Sequence, residues 1–198
     1  MQEMFLEHAK NTLFGYCRAR CGGDERVRRA VEVAETSHRG QTRDGGEAYI
    51  IHPLRVATHY LVFATDPSED EVVVAVLHDV LEDDPAMTHA ALAAEFGAMV
   101  ADAVLVLSRK TPDWKLSAED YRAALLKAPR FAQVIKLCDR FDNILSLYTC
   151  PDEAKVGRYL DQTEYFYGDL GRAAGHADLM QVILGEIDRI REGCGGRG

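Results

Sequence analysis

The sequence predicts an all-α protein, a bundle of about eight to ten helices. Three observations carry this. Apolar residues recur at three- and four-residue steps along nearly the whole chain. Helix-start signals precede the apolar runs, with Ser68 followed three residues on by Glu71, and Pro53 and Pro129 placed to open helices. No segment alternates as a hairpin would; "AYII" comes nearest and is too short.

Taken in order, "MQEMFLEHAK" carries charge where a signal peptide needs its apolar core. No apolar run approaches the ~20 residues that span a bilayer, so the expectation is a soluble, cytoplasmic protein. "DERVRRAVEVAETSH" is helical through Val27, Ala30, Val31 and Ala34. Residues 39–51 form a Gly-rich loop with Gly45-Gly46 as its turn. "PLRVATHYLVF" follows with His52 at or near its cap, and "SEDEVVVAVLHDV" opens on the Ser68–Glu71 box. "GAMVADAVLVLS" is the next helix, and residues 110–115 are a second loop. Ser117 opens "SAEDYRAALLKA", with Asp120 able to complete a similar box. Pro129 begins "PRFAQVIKLCDRFDNILSLY", and helices over 152–170 and 176–191 follow before a fraying "GCGGRG". With 198 residues, 47% of them hydrophobic, the chain fits one domain, residues 1–198, whose C-terminal helices occupy 152–193.

The net charge of −9 argues against nucleic acid or an anionic membrane surface as partner. It leaves room for a small anionic substrate, because a metal and a few local cations reverse the sign within a pocket. The five cysteines are odd in number and form no CxxC pair, as expected of reduced cytosolic thiols. A zinc or redox role for Cys17 and Cys21 is the alternative.

Chemistry concentrates where "VVVAVL" runs into His78-Asp79, two residues, then Glu82-Asp83. On a helix, His78 stacks with Glu82 and Asp79 with Asp83. His with carboxylate suits Mn²⁺, Fe²⁺ or Zn²⁺; the competing reading is a solvated, charged helix end. His52 follows the Gly-rich loop. Asp139, Asn143 and Ser146 make a polar stripe on an otherwise apolar helix, and a buried carboxylate needs partners. A metal and ligand would supply them; so would Arg140 or a distant basic group.

Four blocks, "HRGQTRDGGEAYIIHP", "LHDVLEDD", "FG" leading into "VLVLSRK", and "IKLCDRFDNILSL", stand in the order seen in the HD-domain hydrolases of the RelA/SpoT type. The sequence resembles that family over about residues 25–150, and most resembles its small, hydrolase-only members. The resemblance implies an HD-domain helical bundle that hydrolyses (p)ppGpp. It implies His52, His78, Asp79 and Asp139 as ligands of one divalent metal, usually Mn²⁺, with other divalent metals possible. Glu82 and Asp83 match the pair handling the attacking water and its protons. Arg43 matches the residue stacking on the nucleobase, Asn143 a nucleotide contact, and Ser146 falls where the family often has Thr. Tyr121 resembles a pocket-lining position, with plain helix packing as the alternative. Arg109 and Lys110 replace the usual Thr-Lys-Leu as basic pair and candidate phosphate contacts, alongside Lys115, Arg122 and Lys136. His38 reads as structural. Asp44 stands where a basic residue is common, and Asp142 where His usually precedes the Asn.

The implied substrate is a purine nucleotide with a 3′-pyrophosphate. The alternatives are the adenosine counterpart, another nucleotide, or a non-catalytic HD module that only binds nucleotide. The intact Glu82-Asp83 pair speaks against the last. Nothing in the sequence sets the oligomeric state.

Overall fold

A computed structural model describes residues 2–150 and 152–195. Among them lie eleven α-helical segments, one 3₁₀ turn and a two-stranded hairpin. The chain is all-α, as its periodicity requires. The helices are α1 (Gln2–Cys21), α2 (Glu25–Ser37), α3 (Ile51–Phe63), α4 (Glu69–Leu77), α5 (Val80–Asp83), α6 (His89–Phe96), α7 (Ala98–Leu107), α8 (Ala118–Lys127), α9 (Arg130–Ser146), α10 (Glu153–Ala174) and α11 (Ala177–Gly195).

The centre of the bundle is α4. Val72 through Leu77 are buried without interruption, so this helix is apolar all round rather than striped. It packs against α2, α3, α7 and α9, and α3 in turn packs on α9. Its start is the reciprocal box expected from sequence: Ser68 Oγ accepts from the Glu71 N–H, and Glu71 accepts from the Ser68 N–H. The Ser117 box is half made, since Ser117 Oγ accepts from the Asp120 N–H but the Asp120 carboxylate takes the Ser117 hydroxyl instead of its backbone. In the loop before α3, the Gly46 N–H donates to the Arg43 carbonyl with Gly46 at φ 79°, a conformation that favours glycine.

Five expectations need correction. The "HDVLED" segment is not one continuous helix: α4 ends at Leu77, and α5 restarts at Val80. The His78 Nδ1 donates to the Ala75 carbonyl, the one that the Asp79 N–H would take in an unbroken helix. Residues 110–115 are not a bare loop but a small hairpin, β1 (Lys110–Thr111) paired antiparallel with β2 (Trp114–Lys115). Two helices, α1 and α6, went unanticipated. The helix opened by Pro129 gives way at Leu147 to a 3₁₀ turn, Leu147–Thr149. Finally, α11 continues through Gly195, so Gly193 to Gly195 are helical rather than frayed; residues 196–198 lie outside the described residues.

The four cysteines Cys17, Cys21, Cys138 and Cys150 are free thiols, and the side chain of Cys194 lies outside the described residues. Cys17 and Cys21 do not belong to a metal-donor group among the described residues. No described helix is long and apolar enough to cross a membrane.

Candidate metal centre and its flanks

Three buried elements meet at one point. His52 comes from the first turn of α3, His78 and Asp79 from the break after α4, and Asp139 from the middle of α9. Donor atoms of His52, His78 and Asp139 all lie within 4.8 Å of one another. His52 Nε2 stands 3.2 Å from Asp139 Oδ1 and 3.7 Å from Asp79 Oδ2. His78 Nε2 stands 3.2 Å from Asp79 Oδ2 and 3.8 Å from Asp139 Oδ1.

Each of these side chains is also tied to a neighbour outside the ring. His52 Nδ1 is 2.7 Å from Asp142 Oδ2, and His78 Nδ1 2.8 Å from the Ala75 carbonyl. The Tyr49 hydroxyl donates to Asp79 Oδ2 at 2.7 Å. Lys136 Nζ lies 2.7 Å from Asp139 Oδ2, and the Asn143 amide donates to Asp139 Oδ1 at 2.5 Å. Both imidazoles are thus held through Nδ1 with Nε2 turned to the common point, the arrangement seen around metal-ligating histidines.

The donor set fits a divalent cation. His78 Nε2 is buried and makes no hydrogen bond. Ligands at about 2.1 Å from a metal stand roughly 3 Å from each other, which is the spacing of this ring. Electrostatics point the same way. Burial alone would lower the His78 imidazole, yet the Asp79 and Asp139 carboxylates raise it to about 10. Burial would raise Asp139, yet Lys136 and the two histidines hold it well below the usual range. The cluster therefore attracts positive charge.

On one flank, the Arg43 guanidinium donates to Asn143 Oδ1 at 2.6 Å, to Ser146 Oγ at 3.2 Å and to Asp142 Oδ2 at 3.3 Å. Arg43 and Ser146, 103 positions apart, thus line one cavity, of about 380 Å³, together with Arg55 and Glu47. On the other flank are Glu82 and Asp83. Glu82 Oε1 accepts from the Arg109 N–H at 2.6 Å, and Lys110 Nζ lies 3.7 Å from Asp83 Oδ1. Burial raises both carboxyls above their ordinary range. Tyr121 is buried, gives its hydroxyl to the Leu107 carbonyl and faces a second cavity beside Glu82. Both readings of it, pocket lining and packing, describe its surroundings.

Other sequence readings resolve individually. His38 is buried, with Nδ1 2.9 Å from Gln41 Oε1 and its ring on Tyr49, as a structural histidine would be. Asp139 does not pair with Arg140; adjacent helical residues point about 100° apart, and Arg140 turns to Tyr159 and Tyr167. Asp44 pairs with Lys155 of α10. Sequence reasoning missed Tyr49, Lys136 as a partner of Asp139, and Asp142 as the hub joining His52, Arg43 and Arg55. The available signal for Asp142 was its departure from the family pattern.

A family model for the HD domain matches residues 30–176. The guanosine-3′,5′-bis(diphosphate) 3′-pyrophosphohydrolase of Aquifex aeolicus is 34% identical over 155 residues, covering 76% of this chain and 22% of that protein. The bifunctional (p)ppGpp synthase/hydrolase SpoT of Escherichia coli is 35% identical over 159 residues, with the same coverage of 76% and 22%. The chain thus spans about a fifth of the length of these curated relatives. A solved structure described as a metazoan ortholog of SpoT that hydrolyzes ppGpp superposes with a TM-score of 0.67 at 25% identity, covering 84% of this chain and 96% of that one.

Proposed function

Because this chain belongs to the HD-domain family, we propose that it is a metal-dependent guanosine-3′,5′-bis(diphosphate) 3′-pyrophosphohydrolase that converts (p)ppGpp to GDP or GTP and pyrophosphate. The observation that carries this reading is the ring of His52, His78, Asp79 and Asp139, with a nucleoside-sized cavity on one side and two raised carboxyls on the other. These four side chains would hold one divalent ion, which we take to be Mn²⁺; mixed imidazole and carboxylate donors suit it. When bound, such an ion polarises a phosphoryl oxygen and makes water more acidic.

The remaining work falls to the chain. Arg43 would stack its guanidinium on the purine, and Asn143 and Ser146 would bond the sugar or base once Arg43 releases them. Glu82 and Asp83 would hold the attacking water by its protons. Their raised affinity for protons lets one of them accept the proton as the water oxygen bonds to phosphorus. The bond between phosphorus and the ribose 3′ oxygen breaks, and that oxygen receives a proton. Arg109 and Lys110 would meet phosphate oxygens, a reading supported by the Arg109 backbone N–H donating to Glu82 and by Lys110 Nζ lying beside Asp83. The chain's acidity supports a small nucleotide as partner in preference to nucleic acid or an anionic membrane.

The test is a Mn²⁺-dependent hydrolysis panel of ppGpp, ppApp, NADPH and simple 5′-nucleotides. Release of pyrophosphate from ppGpp, fastest in the panel, is expected. Fastest turnover of ppApp would move the preference to adenine. Nucleotide binding without turnover of any member would overturn the hydrolase reading in favour of a binding module.

A further inference from the structure

The helices that lead to the metal ring reach a third cavity at their other ends. His52 opens α3, and Tyr60 lies in its last turn; Glu71 lies in the first turn of α4, which leads to His78; Arg130 opens α9, ahead of Asp139. At 1.5 Å per residue, the runs from Tyr60 to His52 and from Glu71 to His78 put this cavity roughly 10–12 Å from the ring. It measures about 350 Å³, and the connection between α3 and α4 and His176, just before α11, complete its wall. No residue that lines it belongs to the ring or lines the cavity with Arg43.

Its charges are divided by element. On the side of α9 and α11, Arg130 donates to the Ala174 carbonyl at 2.7 Å and to the Gly175 carbonyl at 3.5 Å, and among the described residues it meets no carboxylate. His176 is only 8% exposed, yet neither ring nitrogen has a hydrogen-bond partner among the described residues; the Asp178 carboxylate stands 3.7 Å from Nδ1. Helix α9 starts at this cavity with no side-chain cap and no acidic residue in its first turn, so the positive end of its dipole goes uncompensated there. All three features suit a carboxylate. On the side of α3 and α4, the Tyr60 hydroxyl and the Ser68 N–H both donate to Glu71 Oε2, at 2.8 and 2.9 Å, which leaves Oε1 without a partner among the described residues. The Asp66 carboxylate, in the connection, likewise has none. These two suit a cation. Ala64, Phe131 and Val134 add apolar wall.

We propose that this cavity is a second small-molecule site, which takes a free α-amino acid with an apolar side chain, its carboxylate on Arg130 and His176 and its ammonium on Glu71 and Asp66. Cations and carboxylates face the cavity from different elements without pairing with one another. A zwitterion answers both with charge-assisted hydrogen bonds, whereas an anion or a cation alone meets like charge on one side. The site stands whether or not the ring hydrolyses a nucleotide.

The experiment is calorimetric titration of L-leucine into the full chain with EDTA present, so that chelation of metal by the amino acid contributes no heat. L-leucinamide lacks the carboxylate and N-acetyl-L-leucine lacks the ammonium; each should bind at least tenfold more weakly than L-leucine. Arg130→Gln and Glu71→Gln should each weaken L-leucine at least tenfold, and Arg130→Gln should leave L-leucinamide within twofold of its affinity for the parent chain. Thr65→Trp, at an exposed position on the rim, should fill the cavity and abolish binding. No binding of L-leucine, L-valine or L-alanine at millimolar concentrations would overturn the site. So would analogues that bind as tightly as L-leucine, or an unchanged L-leucine affinity in all three variants. Should Arg130→Gln or Glu71→Gln lose helical circular dichroism, Thr65→Trp and the two analogues decide.

Discussion

Asp142 faces four basic groups at once. One carboxylate oxygen meets His52 Nδ1 at 2.7 Å and Arg43 at 3.3 Å, and the other meets Arg55 Nε at 2.7 Å and His59 Nε2 at 3.7 Å. It therefore fixes the His52 ring with Nε2 toward the metal ring and makes that nitrogen a better donor. Asp142→Asn keeps the shape but removes the charge. Mn²⁺ affinity should drop by roughly 10–100-fold, the usual worth of such an orienting partner. Titration followed by the electron paramagnetic resonance of free Mn²⁺ measures it, and unaltered affinity would remove Asp142 from the metal's support. Glu82 and Asp83 make the opposite case, since neither belongs to the ring. Glu82→Gln with Asp83→Asn should retain Mn²⁺ and nucleotide but lose turnover by roughly 10²–10⁴-fold. Calorimetric binding beside single-turnover rates separates the two effects; near-normal turnover would take the pair out of the chemistry.

At the scale of elements, α10 and α11 meet through a glycine. A Cβ added at Gly171 would stand 2.0 Å from Met180 Cγ. Gly171→Ala should cost about 1–3 kcal/mol by overpacking, with Mn²⁺ affinity within twofold of the parent. A melting curve checks it, and an unchanged midpoint would mean the two helices stand further apart. Such close approach is invisible in sequence, whereas α4 was plain because its cap and apolar run are local. Helix α1 was missed because its buried residues, Leu13, Phe14 and Cys17, crowd its C-terminal half and leave no sustained stripe. The break at His78 escaped for another reason: a single side chain takes a backbone carbonyl, and no periodicity records that. The same division runs through the site. His52, His78 and Asp139 could be named from family blocks. Tyr49 and Asp142 join the picture only through contacts across 30 and 90 residues.

For the whole molecule, the ring matters because it joins elements far apart in sequence. A bound ion would clasp the start of α3, the break between α4 and α5, and the middle of α9, three parts of one core. Unfolding scatters those donors, so the ion binds the folded chain in strong preference and stabilises it by mass action. At a free metal concentration 100 times Kd, that linkage contributes about 2.7 kcal/mol. For a chain of this size each kcal/mol moves the melting midpoint by roughly 2–4 °C, so saturating Mn²⁺ should raise it by roughly 5–10 °C. His78→Ala removes one donor without touching the Lys136–Asp139 pair. The variant should keep its helical circular dichroism and lose most of the Mn²⁺-dependent rise. Calorimetric scans of both proteins, with metal and with chelator, give the four midpoints required. A rise that survives in His78→Ala would locate the stabilising ion elsewhere, and no rise in the parent chain would mean that the ring does not hold a metal at all.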